Sequence, residues 1–223
     1  MIKYFEGTVF NTGAEAIVNT INCDGFMGAG LALEFSLRYP KMLKDYEYKC
    51  KNKTISVGKI DTFKEGELLI INFPTKKSFK FPSQLKWVEE GLKDFVQNYK
   101  AYGIRSVAFP KLGCSNGGLD WSTVKQLMEK YLSDIDITVY ICVDTLKEAQ
   151  GKEKEMLDAF NKTKLSDISS NVKLSAKQIE ELSKNIPYKR FWLIGKTPSI
   201  GKNTYKNLFQ YFYNKPQMQM KLF

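Results

Sequence analysis

The chain has 223 residues, 43% of them hydrophobic and 26% charged, with a formal net charge of +10. These proportions fit a globular chain and exclude wholesale disorder, a collagen-like repeat and a membrane bundle. The absence of histidine removes Ser/His/Asp and Cys/His triads, histidine zinc sites and the commonest acid–base group at neutral pH, so catalysis has to rest on Lys, Asp, Glu, Cys, Tyr, Asn or backbone dipoles.

In chain order, short apolar runs bounded by turn residues predict strands at Ala16 to Ile21, Leu68 to Phe73, Ser106 to Phe109 and Ile137 to Val143. Between them lie helical stripes. Leu31, Ala32 and Phe35 form the first; Leu85, Val88, Leu92, Phe95, Val96 and Tyr99 the second, with Ser83 as the expected N-cap; Trp121, Val124, Leu127, Met128 and Tyr131 the third, capped by Asp120. Strands alternating with helices predict a layered α/β domain with a largely parallel sheet, in which ligands bind beyond the carboxyl ends of the strands.

The stretch 147–175 is polar and reads as a charged helix plus linker. Beyond it, Ile179 and Leu182, the run Phe191 to Ile194, and Tyr205, Leu208, Phe209 and Phe212 predict a helix, a strand, a loop and a helix over 176–223. So small a core is expected to dock on the first domain or on a partner.

Charge is unevenly spread. Residues 1–150 carry 20 Lys and Arg against 18 Asp and Glu, while 151–223 carry 14 against 6. A polyanion is the expected partner for the basic segment, and a merely solvated surface is the alternative. Gly195 to Asn203 superficially matches a phosphate loop but has five residues between its glycines instead of four, so nucleotide hydrolysis is rejected there. The four cysteines lack close pairing and read as free thiols, and no metal or cofactor is assigned. The start MIKYFEGTVF has no secretory pattern, and no window reaches 18 apolar residues, so a cytoplasmic setting without a membrane partner is expected.

Two strand-end loops carry chemistry. Val18 to Gly30 places Gly25, Gly28 and Gly30 between a strand and a helix, where backbone N–H groups and the helix dipole favour an anion. Pro110 to Trp121 repeats the arrangement with Gly113, Gly117 and Gly118. Either loop alone reads as an ordinary turn, but the pair at one sheet edge suits the two phosphates of an extended ligand.

The strings AIVNTINCDGFMGAGLA (Ala16 to Ala32) and FPKLGCSNGGLDW (Phe109 to Trp121) resemble the macrodomain family, and NFPTKKSFKFPSQLKWVEEGL (Asn72 to Leu92) resembles its subgroup containing DarG and the terminal ADP-ribose protein glycohydrolase. That resemblance implies a three-layer α/β/α macrodomain with a mixed, largely parallel sheet over 1–146; the small basic C-terminal module lies outside it. The resemblance implies an enzyme that removes ADP-ribose from DNA bases; release from protein carboxylates and a non-enzymatic reader are the alternatives. Lys76 takes the place of the catalytic lysine, and Asn22 is set against the distal ribose. Thr8, Val9, Asn19, Gly25, Met27, Gly28, Ala29 and Gly30, with Leu112, Gly113, Cys114, Ser115, Asn116, Gly117 and Gly118, are the implied ADP-ribose contacts. Thr8 stands where many members carry an adenine-binding Asp, and Gly117 where the protein-directed relative carries an Asp.

Chemically, a desolvated Lys76 amine attacks an anomeric carbon, whereas its ammonium polarises the leaving base; the sequence leaves both open. Cys23 and Cys114 sit in the two loops, where small residues packing beneath backbone explain them as well as activated thiols do. Asp24 reads as a helix cap. Lys77, Lys80, Lys189, Arg190, Lys196 and Lys202 are the expected DNA contacts, with Phe79, Phe81 and Trp87 interleaved for stacking. ADP-ribosylated DNA, a DarT-like toxin and a bacterial sliding clamp complete the expected partners. The clamp rests on Gln219, Leu222 and Phe223, which match the spacing of the clamp-binding pentapeptide.

Overall fold

The computed structural model describes residues 1–215 and parts into two compact units between Thr145 and Leu146. The first unit is built on six strands, β1 (Ile2–Phe5), β2 (Ala16–Asn22), β3 (Asp61–Glu65), β4 (Leu68–Lys76), β5 (Ser106–Pro110) and β6 (Thr138–Cys142). They stand in the order β1-β6-β5-β2-β4-β3, every neighbouring pair parallel except β3 with β4. Four helices cover the sheet: α1 (Gly30–Arg38), α2 (Pro40–Lys51), α3 (Leu85–Asn98) and α4 (Trp121–Leu132).

The strand side chains alternate between two cores, as the period of two dictates. Ala16, Val18, Ile71, Phe73, Val107 and Phe109 pack with Val88, Leu92 and Phe95 of α3 and Val124 and Met128 of α4. Ile17, Ile21, Ile70 and Ala108 pack on the other face with Phe35 of α1 and Met42 and Tyr46 of α2. The unit is therefore the expected α/β/α sandwich. β2 and β4 lie between neighbours and are buried on both faces, which is why their sequences read as continuous apolar runs.

Three elements go beyond the expected ones. β1 and β3 are edge strands, β1 only four residues long and half-exposed, β3 largely polar, and α2 hangs on the sparse buried series Met42, Tyr46, Cys50. The N-cap expected at Ser83 is corrected: Gln84 occupies that position without a side-chain bond, while Ser83 is buried and its N–H donates to Gly117 O at 2.9 Å. Asp120 caps α4, accepting from Thr123 N at 2.9 Å.

The second unit contains α5 (Gly151–Lys162), α6 (Leu165–Val172), α7 (Ala176–Ser183) and α8 (Lys202–Tyr213). The charged helix and linker expected over 147–175 is corrected to two helices, whose Met156, Leu157, Phe160, Leu165, Ile168 and Val172 are buried. The strand expected at Phe191 to Ile194 is instead a 3-10 turn, Phe191–Lys196. Its two buried residues are three apart, the spacing that stacks on one side of such a turn. Phe160 anchors an aromatic core, with ring centroids 5.6 Å from Tyr188, 5.4 Å from Phe212 and 6.2 Å from Phe191. Gln219, Leu222 and Phe223 lie outside the described residues. Among the described residues, no helix is long and apolar enough to cross a membrane.

Candidate active site

The carboxyl ends of β2, β4 and β5 stand side by side, and a glycine-rich or lysine-bearing segment leaves each. β2 and β4 pair in simple register from Ala16 with Leu69 to Ile21 with Pro74; the register then shifts, so that Asn22 stands opposite Lys76. This irregularity leaves Thr75 buried and carries Lys76 to the mouth of the site.

Asn22 is 7% exposed and its amide is the hub of the first loop. Its Oδ1 accepts from Asp24 N at 2.9 Å and from Tyr46 OH at 3.1 Å, and its Nδ2 donates to Phe26 O at 2.6 Å. The loop from Cys23 to Gly30 is thereby held from beneath, and it ends at the N-terminus of α1. The backbone N–H groups of Gly28, Ala29 and Gly30 have no protein acceptor among the described residues, the donor arrangement that an anion seeks at a helix N-terminus.

The second loop is a tight coil: Cys114 N donates to Lys111 O, Gly118 N to Cys114 O and Leu119 N to Gly113 O. The N–H groups of Ser115, Asn116 and Gly117 remain without a protein acceptor among the described residues. Gly117 has no room for a side chain, because a Cβ there would stand 2.5 Å from Ser83 Oγ and closer still to Gly113 O. The loops meet at Asn116. A Cβ on Gly30 would lie 2.7 Å from the mobile end of the Asn116 side chain, and the Gly30 φ of +55° lies in the left-handed region that favours glycine. Lys76 closes the triangle, its Nζ donating to Asn116 O at 2.5 Å.

Burial lowers the Lys76 pKa below the ordinary lysine value. Among the described residues its ammonium is held by a neutral carbonyl, and no carboxylate pairs with it. The thiols behave oppositely: burial pushes Cys23 up to about 11 and also raises Cys114, so both are protonated at neutral pH and neither is an activated nucleophile.

The remaining expected contacts lie as follows. The side chains of Val9 and Leu112 are buried on opposite faces of the sheet because each fills a hydrophobic core. Asn19 is fully buried, its Nδ2 donating to Asn72 Oδ1 at 3.1 Å and to Met27 Sδ at 3.7 Å, so it and the buried Met27 support the loop from below. Thr8 is half-buried and its hydroxyl donates to Asn11 Oδ1 at 2.7 Å. Asp24 caps no helix; its Oδ2 accepts from Phe79 N at 3.1 Å and ties the turn after β4 to the first loop. Arg190 is corrected from a DNA contact to an internal ion pair, its Nε 3.0 Å from Glu153 Oε1, with side chains only 8% and 13% exposed. Lys77, Lys80, Lys189, Lys196 and Lys202 are exposed. So are Phe79 and Phe81, while Trp87 is half-buried.

The model of the Macro domain family matches residues 18–128. A DNA ADP-ribosyl glycohydrolase of Mycobacterium tuberculosis is 43% identical over 147 residues, covering 63% of this chain and 42% of the relative. The enzyme of that name from Thermus aquaticus is 38% identical over 154 residues, covering 66% and 43%. Among solved structures, the macrodomain of Mycobacterium tuberculosis DarG has a TM-score of 0.62 at 41% identity, covering 64% of this chain and 97% of that one. Thermosipho africanus DarTG in complex with ADP-ribose has a TM-score of 0.60 at 32% identity, covering 65% and 42%. The chain spans less than half the length of these two curated relatives.

Proposed function

The chain belongs to the macrodomain family, and from that premise we propose that it is an ADP-ribosyl glycohydrolase acting on modified DNA bases. The observation that carries the reading is the Lys76 ammonium at the meeting point of two loops rich in unpaired N–H groups, hydrogen-bonded to the carbonyl of Asn116. The names of the relatives from Mycobacterium tuberculosis and Thermus aquaticus point the same way. Gly117 supports the DNA-directed branch over release from protein carboxylates, because its packing leaves no space for the Asp that the protein-directed relative uses there.

In this reading the loop from Cys23 to Gly30 and the loop from Gly113 to Gly118 hold the two phosphates, and Asn22 fixes the shape of the first. Cleavage breaks the bond between the anomeric carbon of the distal ribose and the base. The bonding pair leaves with the base, the carbon acquires oxocarbenium character, and water adds to it and releases a proton to solvent. Lys76 acts as the ammonium, leaving Asn116 O to donate to the departing base. A lysine with its pKa lowered by burial is a better acid for that step than an exposed one.

Lys77 and Lys80 beside the site, and Lys189, Lys196 and Lys202 on the second unit, serve as phosphate contacts for DNA. A DarT-like toxin is the partner we assign to the protein in a cytoplasmic setting. Gln219, Leu222 and Phe223 form a binding segment for a sliding clamp, a reading supported by their spacing in the sequence alone.

The test is ADP-ribose release from an ADP-ribosylated oligonucleotide and an ADP-ribosylated protein assayed side by side. Release from the oligonucleotide is expected, with Lys76→Ala abolishing it while free ADP-ribose affinity stays within about tenfold, since backbone donors hold the phosphates. Release from the protein alone establishes the other branch, and undiminished turnover by Lys76→Ala removes that residue from the reaction.

A further inference from the structure

The two strand-end segments carry a pair of exposed aromatic rings to which the proposed function gives no role. Phe26 is 45% exposed and Phe79 47% exposed. They come from two different strand-end segments, and their ring centroids lie 4.9 Å apart at an interplanar angle of 50°. The pair is held by backbone rather than left to wave in solvent. Asn22 Nδ2 bonds Phe26 O at 2.6 Å, and Asp24 Oδ2 accepts from Phe79 N at 3.1 Å. The turn is closed by Phe81 N donating to Ser78 O and Lys80 N to Ser78 Oγ, each at 3.3 Å. Phe79 is three residues beyond Lys76, at most about 10 Å of chain, so the ring pair lies on the segment that carries the lysine.

The surrounding charge defines what such a surface suits. Lys77 and Lys80 are exposed, with Nζ atoms 5.7 Å from the Trp87 ring centroid and 6.0 Å from that of Phe79. Rings alternating with ammonium groups suit a chain that alternates flat bases with phosphates. A base inside a duplex has both faces covered, so only an unpaired base offers a face to a protein ring.

We propose that Phe79, backed by Phe26, is a stacking platform for an unpaired nucleobase of a single-stranded nucleic acid, with Lys77 and Lys80 holding the flanking phosphates. The proposal rests on the reading of Lys76 as the reaction centre and adds the residue that holds the base beside it. Phe79 is here a specificity-determining residue that leaves ADP-ribose itself to the two loops.

The experiment uses the full chain and one ADP-ribosylated oligonucleotide, offered single-stranded and annealed to its complement, with the parent, Phe79→Ala and Phe79→Tyr. The single strand is the expected preferred substrate. Phe79→Ala raises KM for it by about 5- to 100-fold, the range of one lost base stack. Phe79→Tyr restores the parental KM, and free ADP-ribose binds all three proteins equally. A second arm needs no hydrolysis: an unmodified single strand containing 2-aminopurine is quenched by the parent and not by Phe79→Ala. Equal KM values for parent and Phe79→Ala overturn the platform and leave the ring pair as a protein contact; equal quenching also overturns it. If the parent releases nothing from the oligonucleotide, the glycohydrolase reading fails, and the quenching arm judges the platform separately.

Discussion

Asn22 and Lys76 stand opposite each other across two parallel strands only because the pairing of β2 and β4 slips by one residue beyond Ile21 and Pro74. An unbroken register would set Asn22 against Thr75 and point Lys76 away from the mouth, since a shift of one residue exchanges the two faces of a strand. The slip brings together the hub of the first loop and an ammonium that bonds the second.

The first prediction concerns pH. Burial lowers the Lys76 pKa from the ordinary lysine value, and the ammonium is the active form in our proposal. The maximal rate is therefore expected to hold on the acid side of that lowered pKa and to decline as pH rises through it. A kcat profile on ADP-ribosylated oligonucleotide checks this. A rate that climbs over the alkaline range, with cyanoborohydride trapping of a lysine adduct, would establish attack by the free amine instead.

Asn22→Ala removes one acceptor and one donor from beneath the first loop. Each buried group left unpaired costs about 1–3 kcal/mol, so the loop loses its fixed shape. ADP-ribose affinity by calorimetry is expected to fall at least tenfold, with turnover falling further. Asn22→Asp should be no better, because its carboxylate would face the Phe26 carbonyl. Parental affinity in both variants would contradict the role of the amide.

Gly117→Ala places a methyl against Gly113 O and Ser83 Oγ. The backbone between Gly113 and Gly118 has to move, and with it the N–H groups of Ser115, Asn116 and Gly117. Calorimetry should show ADP-ribose binding weakened by tenfold or more, while circular dichroism of the fold is retained. Unchanged affinity would mean that the second loop does not hold the ligand.

Glu153→Ala addresses the second unit. Glu153 accepts from Arg190 Nε and from Phe191 N at 2.8 Å, and Arg190 also donates to Leu146 O at 2.8 Å. Removing the carboxylate strands a buried guanidinium, a change that costs about 3–5 kcal/mol. Hydrogen exchange is expected to accelerate in α5 and around Phe191 while β2 and β4 stay protected. Equal protection throughout would show that the pair does not hold the unit.

What sequence alone determined here is whatever local periodicity encodes. The central strands announce themselves because burial on both faces demands continuous apolar runs, and α3 and α4 because one buried face demands a 3.6-residue stripe. The two glycine loops were legible for the same reason: close backbone approach requires glycine wherever it happens. The edge strands β1 and β3 and helix α2 were not, since β1 is only four residues long and half-exposed, and β3 and α2 carry polar residues that blur the pattern. Nor was the fate of Arg190, whose charge suggests a phosphate until Glu153, 37 residues away, is folded against it. Asn19 and Leu112 share motifs with the loops yet, like Val9, face the interior, which depends on strand register and packing. Asp24 became the anchor of Phe79, 55 residues distant. Only the tertiary structure decided these, because a hydrogen bond, an ion pair or a register shift between distant segments leaves no periodic trace in either segment.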